Sequence, residues 1–146
     1  AIPDILNEAR YELEWMLKMQ REDGAFYHKL TKDHFAPIIM PQEDLDPEYL
    51  MPVSHCATAA ACACLALSYR VYRECDAEFA DRMLNAALRA SKWFDENPDF
   101  IPFVNPEGVR TGMYGDRSDK DERFWASFEL YAATGDAEYL KKAEVL

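Results

Sequence analysis

Two stretches of this 146-residue chain carry one pattern, and the pattern limits the folds open to it. Ser68-Tyr69-Arg70-Val71-Tyr72, then Asp76-Ala77-Glu78-Phe79-Ala80, is echoed by Ser127-Phe128-Glu129-Leu130-Tyr131, then Asp136-Ala137-Glu138-Tyr139-Leu140. The copies lie about 60 residues apart, and Gly135 lengthens the second turn by one residue. Each copy reads as a helix end, a tight turn and a capped helix start, the unit of a repeated α-hairpin. Stacked hairpins close into an α/α toroid or run on as a solenoid, and two copies do not choose between them.

The rest of the chain fits an all-α reading. Asp4 is placed to cap a first helix in which Ile5, Ala9, Leu13, Met16 and Leu17 recur at helical spacing, ending near Asp23-Gly24. Pro37, Pro41, Pro47 and Pro52 make the stretch from Ala25 to Pro52 a long irregular excursion, and long loops in compact domains are usually functional. A second helix, opened by Ser54 or Thr58 and running to about Tyr72, is apolar almost all round and should be buried between neighbours. Asp76 caps a third, with Phe79, Met83, Leu84, Ala87, Leu88, Ala90 and Trp93 on one face and Asn97-Pro98 as its stop. A fourth is expected from about Ser118 to Thr134, stopping at Gly135, and a fifth from Asp136 onward.

The formal charge of −11 argues against nucleic acid as a partner, because a phosphate backbone would be repelled at long range. Arg or Lys interrupts every apolar run before it could span a bilayer. No leader is visible at Ala1-Ile2-Pro3-Asp4, which fits a mature or truncated chain as well as a cytosolic one. Cys56, Cys62, Cys64 and Cys75 show no C-x-x-C spacing; His55-Cys56 alone is weak zinc evidence, and buried free thiols are expected.

Chemistry concentrates in Thr111-Gly112-Met113-Tyr114-Gly115-Asp116-Arg117-Ser118-Asp119-Lys120-Asp121-Glu122. Asp116, Asp119, Asp121 and Glu122 repel one another unless solvent, a helix N-terminus or a cation offsets them. One reading is a helix start, with Ser118 as N-cap and Asp121 at the capping-box position. The other is a hard-cation site built from loop oxygens.

The same run resembles a signature of glycoside hydrolase family 9, the inverting cellulases, in which T-G-x-Y-G-D, a short acidic loop and D-E-x-x-W-A-A-x-E-L-Y-x-A-T-G-D occur together. Here it continues through Trp125-Ala126-Ser127-Phe128-Glu129-Leu130-Tyr131-Ala132-Ala133-Thr134-Gly135-Asp136. Upstream, Glu14-Trp15-Met16-Leu17-Lys18-Met19-Gln20 and Tyr27-His28-Lys29-Leu30-Thr31 resemble the family's E-W-x-L-K-M-Q and Y-H-K-V-T. Pro52-Val53-Ser54-His55-Cys56-Ala57-Thr58-Ala59 resembles its V-S-T-A-A-T-A, departing at His55-Cys56. That stretch reads as close packing of an inner helix, with His55 not assigned to catalysis.

The resemblance implies an (α/α)6 barrel, of whose twelve helices this chain holds about five. Residues 1–146 would then be part of a catalytic domain, and its uncovered apolar faces would favour association. It implies β-1,4-glucan as substrate, an extracellular location, and a calcium ion held by Asp121 and Glu122, with Asp116 a further candidate. It also places His28 against the glucan, with Tyr27 and Tyr114 as candidate stacking platforms and His34 and Phe35 as weaker candidates in the same loop. Inverting hydrolysis needs two carboxylates astride the scissile bond. The family's D-A-G-D base motif and its distal acid glutamate are both absent here, so no catalytic residue is assigned and the chain alone is expected to be inactive. The rival readings are a noncatalytic α-solenoid scaffold or glycan-binding fragment, and another α/α-toroid enzyme.

Overall fold

The computed structural model describes residues 2–146. Among them five helices follow in order: α1 (Asp4–Lys18), α2 (His55–Tyr72), α3 (Ala77–Glu96), α4 (Lys120–Thr134) and α5 (Ala137–Glu144). Helices α2 and α3 pack as one hairpin and α4 and α5 as another, with α2 and α4 side by side. Both turns of the echo behave as read. The Asp76 carboxylate accepts from Phe79 N–H and that of Asp136 from Glu138 N–H, while Gly135 closes α4 in the left-handed conformation at φ 75°.

Small residues explain the close packing of α2 on α3. Ala59, Cys62, Ala63 and Ala66 from α2 and Ala80, Ala87 and Ala90 from α3 are fully buried. The helices approach closely enough for the Cys62 thiol to donate to the Ala87 carbonyl at 3.3 Å. Larger side chains fill the rest of this core, with Leu65, Tyr72, Phe79, Met83 and Leu130 at its centre. Burying each such side chain contributes about 1.5–3 kcal/mol before conformational entropy is set against it. Arg70 of α2 pairs with the nearly buried Glu129 of α4 at 2.6 Å, tying the two hairpins together.

Three expected boundaries move. α1 stops at Lys18, short of Asp23-Gly24, because Gln20 bridges Phe26 in an antiparallel turn that cannot also be helix. Gly24 makes that turn at φ 103°, and a Cβ there would lie 2.4 Å from the Arg89 carbonyl oxygen of α3. The N-cap of α1 is Pro3, so Asp4 is its first helical residue and complements the dipole without capping. α4 begins at Lys120 with Asp119 as N-cap, which displaces Ser118 from that role; the Ser118 hydroxyl instead accepts from Lys120 N–H at 3.3 Å.

The proline-rich excursion contains a small antiparallel pair, β1 (Leu30–Thr31) with β2 (Tyr49–Leu50), so it is more ordered than a plain loop. The thiols are all free, but only Cys56 and Cys62 are buried; Cys64 is half-buried and Cys75 exposed at the α2–α3 turn. One side of the molecule remains apolar and open. Leu67 and Val71 on α2, and Phe124, Trp125 and Phe128 on α4, are all more than a third exposed.

Candidate functional site

The N-terminal ends of α2 and α4 meet at one end of the molecule, where the Cys56 thiol donates to the Ser118 carbonyl at 3.4 Å. Two loop segments border this meeting point, residues 26–31 and residues 101–119.

The start of α2 is fully partnered. Ser54 is buried, and its hydroxyl oxygen accepts from Ala57 N–H while lying 2.8 Å from His28 Nδ1. Thr58 donates its hydroxyl to the Ser54 carbonyl and accepts from Phe26 N–H. His55 is completely buried, beside the rings of Trp93, Phe94 and Phe100. Its Nδ1 accepts from Ile101 N–H at 3.0 Å, so Nε2 carries the proton and donates to the Asn97 carbonyl at 2.9 Å. With both nitrogens engaged, His55 fastens the loop after α3 to the start of α2 and has no free nitrogen for catalysis.

His28 is half-buried at the rim of this arrangement. Its ring stacks on Phe103 with centroids 3.9 Å apart and planes 1° from parallel. Burial, helped by the neighbouring Lys29 cation and opposed by Asp116, lowers its pKa below 6.5. At neutral pH the ring is therefore an uncharged hydrogen-bonding platform. Tyr114 lies further along the same loop as Phe103. It is 74 % exposed and sits at φ 51°, the only positive φ outside glycine among the described residues. Lys29 lies between them, 5.2 Å from the Phe103 ring centre and 5.7 Å from that of Tyr114.

Tyr27 is placed differently. It packs against the main core and lines an open apolar groove of about 370 Å³ together with Trp15, Met16, His28, Ala61 and Trp125. His28 thus lines the groove with Tyr27 while stacking on Phe103, and Tyr114 lies outside that groove, joined to Phe103 through Lys29. Phe35 is 71 % exposed, and His34 faces Asp33 and Asp46 away from this rim.

The start of α4 has none of the closure seen at α2. Asp119 makes no capping hydrogen bond, and its Oδ2 and Glu122 Oε2 are buried without hydrogen-bond partners. Ligand atoms of Cys56, Asp116 and Glu122 lie within 4.8 Å of one another. Burial pushes the Glu122 carboxyl above its usual range, and the adjacent Asp121 and Asp116 charges add to the shift. Burial likewise pushes the Cys56 thiol up to about 12, reinforced by Glu122, Asp116 and Asp119. The Asp116 and Glu122 carboxyls, close together beside the neutral Cys56 thiol, form a pocket of negative potential that a cation would relieve. Asp116 and Glu122 are therefore brought together as the sequence suggested. Asp121 is exposed beside Glu122 and outside that group, and Cys56 takes a place in it that the sequence did not give it. His55-Cys56 was the available signal, since it is where the helix start departs from the family pattern.

The family model described as Glycosyl hydrolase family 9 matches residues 1–145. The chain belongs to this family. It is 45 % identical over 145 residues to a cellodextrinase of Butyrivibrio fibrisolvens, covering 99 % of this chain and 26 % of the relative. It is 38 % identical to endoglucanase D of Acetivibrio thermocellus, covering 99 % of this chain and 23 % of that protein. Among solved structures, a thermostable endoglucanase from Alicyclobacillus acidocaldarius superposes with a TM-score of 0.94 at 39 % identity, covering 99 % of this chain and 27 % of that one. The chain thus spans about a quarter of the length of these relatives. Its two hairpins and α1 are arranged as in the family 9 (α/α)6 barrel.

Proposed function

We propose that this chain is a wall-and-scaffold segment of an endo-β-1,4-glucanase-type catalytic domain whose whole form cleaves β-1,4-glucan with inversion. The observation that supports this most is the half-buried His28, an uncharged imidazole stacked on the buried Phe103 ring, with the exposed Tyr114 ring nearby, in a chain whose residues 1–145 match family 9. Flat apolar faces beside a few fixed polar groups suit pyranose rings, whose axial C–H faces are apolar and whose hydroxyls lie at the edges. Residues 1–146 would be a partial domain. Among the described residues, the carboxylates that cluster are Asp116 and Glu122 at the α4 start, where they repel one another. The protein's location would be outside the cell; no helix among the described residues is long and apolar enough to cross a membrane.

A structural calcium ion at the α4 start belongs to the same reading. Asp116 and Glu122 carboxylate oxygens and the Ser118 carbonyl fit the preference of calcium for oxygen donors, and the unpartnered Glu122 Oε2 has no other use. Asp121 is adjacent and adds negative charge. The Cys56 sulfur suits a softer ion and would remain a protonated neighbour. The bound ion would neutralise the acidic loop that leads from Tyr114 into α4.

The test uses the purified chain with cellohexaose and with carboxymethyl cellulose. Cellohexaose should shift the amide signals of residues 26–31 and 101–116 in NMR spectra, and reducing sugar should not rise above buffer. Hydrolysis that stays with the chain through purification would overturn the inactive-segment reading. Absence of any shift at millimolar oligosaccharide would overturn the cleft-wall reading and favour a plain scaffold.

A further inference from the structure

Tyr114 stands in a backbone conformation that ordinary residues avoid. At φ 51° its Cβ crowds the following carbonyl, costing about 1–2 kcal/mol, and such strain persists only where surroundings over-determine it. Tyr114 is exposed and is not itself packed into a core. Something else must hold the loop.

The holding contacts converge on Lys29. Its ammonium donates to the Gly112 carbonyl and, at 3.2 Å, to the Thr111 hydroxyl. Thr111 is held from two further sides, by the Thr31 hydroxyl at 3.2 Å and by Asn105 Nδ2 on its carbonyl at 2.7 Å. The Lys29 backbone is fixed in turn, since its carbonyl accepts from Met51 N–H at 2.9 Å. Gly112 then serves as the seat of the Tyr114 ring. A Cβ on Gly112 would lie 2.7 Å from Tyr114 Cζ and 2.9 Å from its hydroxyl oxygen, so the ring rests directly on this glycine.

We infer that Lys29 is a positioning residue that pins the 111–112 backbone and thereby sets the orientation of the Tyr114 ring relative to His28. This rests on the reading of that rim as a glucan wall, although the pin can be tested without any glucan. The ammonium suits the task because it offers three donors from one point, enough for the carbonyl and the hydroxyl together. It also lies near two aromatic rings, whose faces favour a cation. Methionine in its place would keep the length and lose every donor.

The experiment compares wild type, Lys29→Met, Lys29→Arg and Gly112→Ala, each with ¹³C-labelled tyrosine. In the wild type without ligand, Tyr114 ring protons should show contacts to Gly112 Hα and a single dispersed set of shifts. Lys29→Met should lose those contacts and move the ring toward random-coil shifts, while Lys29→Arg keeps most of them. Gly112→Ala should displace the ring with Lys29 intact, at little cost in stability, because only the end of an exposed side chain must move. Unchanged Tyr114 signals in Lys29→Met would overturn the inference, as would equal loss in the arginine variant. Thermal melts check that all four chains fold. Cellohexaose affinity should then fall about tenfold in Lys29→Met, because the Tyr114 ring is no longer held in place, and recover in Lys29→Arg. If the ring is released but affinity is unchanged, the pin stands and the glucan role of Tyr114 fails.

Discussion

The starts of α2 and α4 are neighbours in space and opposites in chemistry. At α2 the buried polar side chains have partners: Ser54 caps, Thr58 bonds back, and both nitrogens of the buried His55 are used. At α4 the N-cap side chain makes no capping bond, Asp119 Oδ2 faces the Arg123 guanidinium only at 3.8 Å, and the buried Glu122 Oε2 has no hydrogen-bond partner. The first is finished by the chain itself. The second is unfinished in a way that a cation would complete. Buried polar groups are commonly satisfied, so the unpartnered Glu122 oxygen is the feature that sets the α4 start apart from the α2 start.

That contrast can be broken at its strongest point first. His55→Ala removes a buried ring and leaves Ile101 N–H and the Asn97 carbonyl without their partner. It should cost about 3–5 kcal/mol in urea unfolding, a cavity cost with unsatisfied groups added. A loss below about 1 kcal/mol would mean that α2 does not depend on this closure. Next in size is the response to calcium. At 100 times its dissociation constant the ion should stabilise the chain by about 2.7 kcal/mol, seen as a higher melting temperature, and Asp116→Asn with Glu122→Gln should abolish the gain. A melting temperature indifferent to millimolar calcium would remove the cation from the α4 start.

Ser54→Ala should cost about 1–2 kcal/mol, the usual range for a lost N-cap, and should also free His28 Nδ1. The smallest effect is the most diagnostic. Without calcium, Glu122→Gln should change stability at neutral pH by no more than about 0.5 kcal/mol, in either direction, in contrast to Ser54→Ala. The pH dependences differ in direction too. The Glu122 pKa is raised on folding, so its contribution is most favourable below 4.5 and is lost as pH rises through the folded value. The His28 pKa is lowered on folding, so its contribution is present above 6.5 and is lost as pH falls through the folded value. Histidine NMR should place the His28 midpoint below 6.5; a midpoint above it would mean that the ring is not desolvated by Phe103 and Ser54.

Much of the scaffold was legible because its signals are local. Asp76 and Asp136 act as caps and Gly135 as a helix stop, each decided within a few residues of chain. The Ala- and Cys-rich run was readable as a buried helix because its composition leaves no polar face for water. Where local signals competed, the reading slipped. Ser118 and Asp119 are both good N-cap residues, and the Cys56 contact with the Ser118 carbonyl, 62 positions away in sequence, accompanies a start one residue later than read. Tyr27 and Tyr114 are the same residue type with the same prior claim on a sugar. Only their burial separates them, one facing an apolar groove and the other solvent.

The sequence by itself therefore determined the helices, the turns between paired helices and the family, because periodicity, capping and long motifs are written along the chain. Tertiary structure alone decided which acidic residues gather with Cys56, that His55 is spent on packing, and that Lys29 reaches the loop beneath Tyr114. Those outcomes join residues 42 to 83 positions apart, where the positions of two folded elements, and not the preferences of either, set the distance.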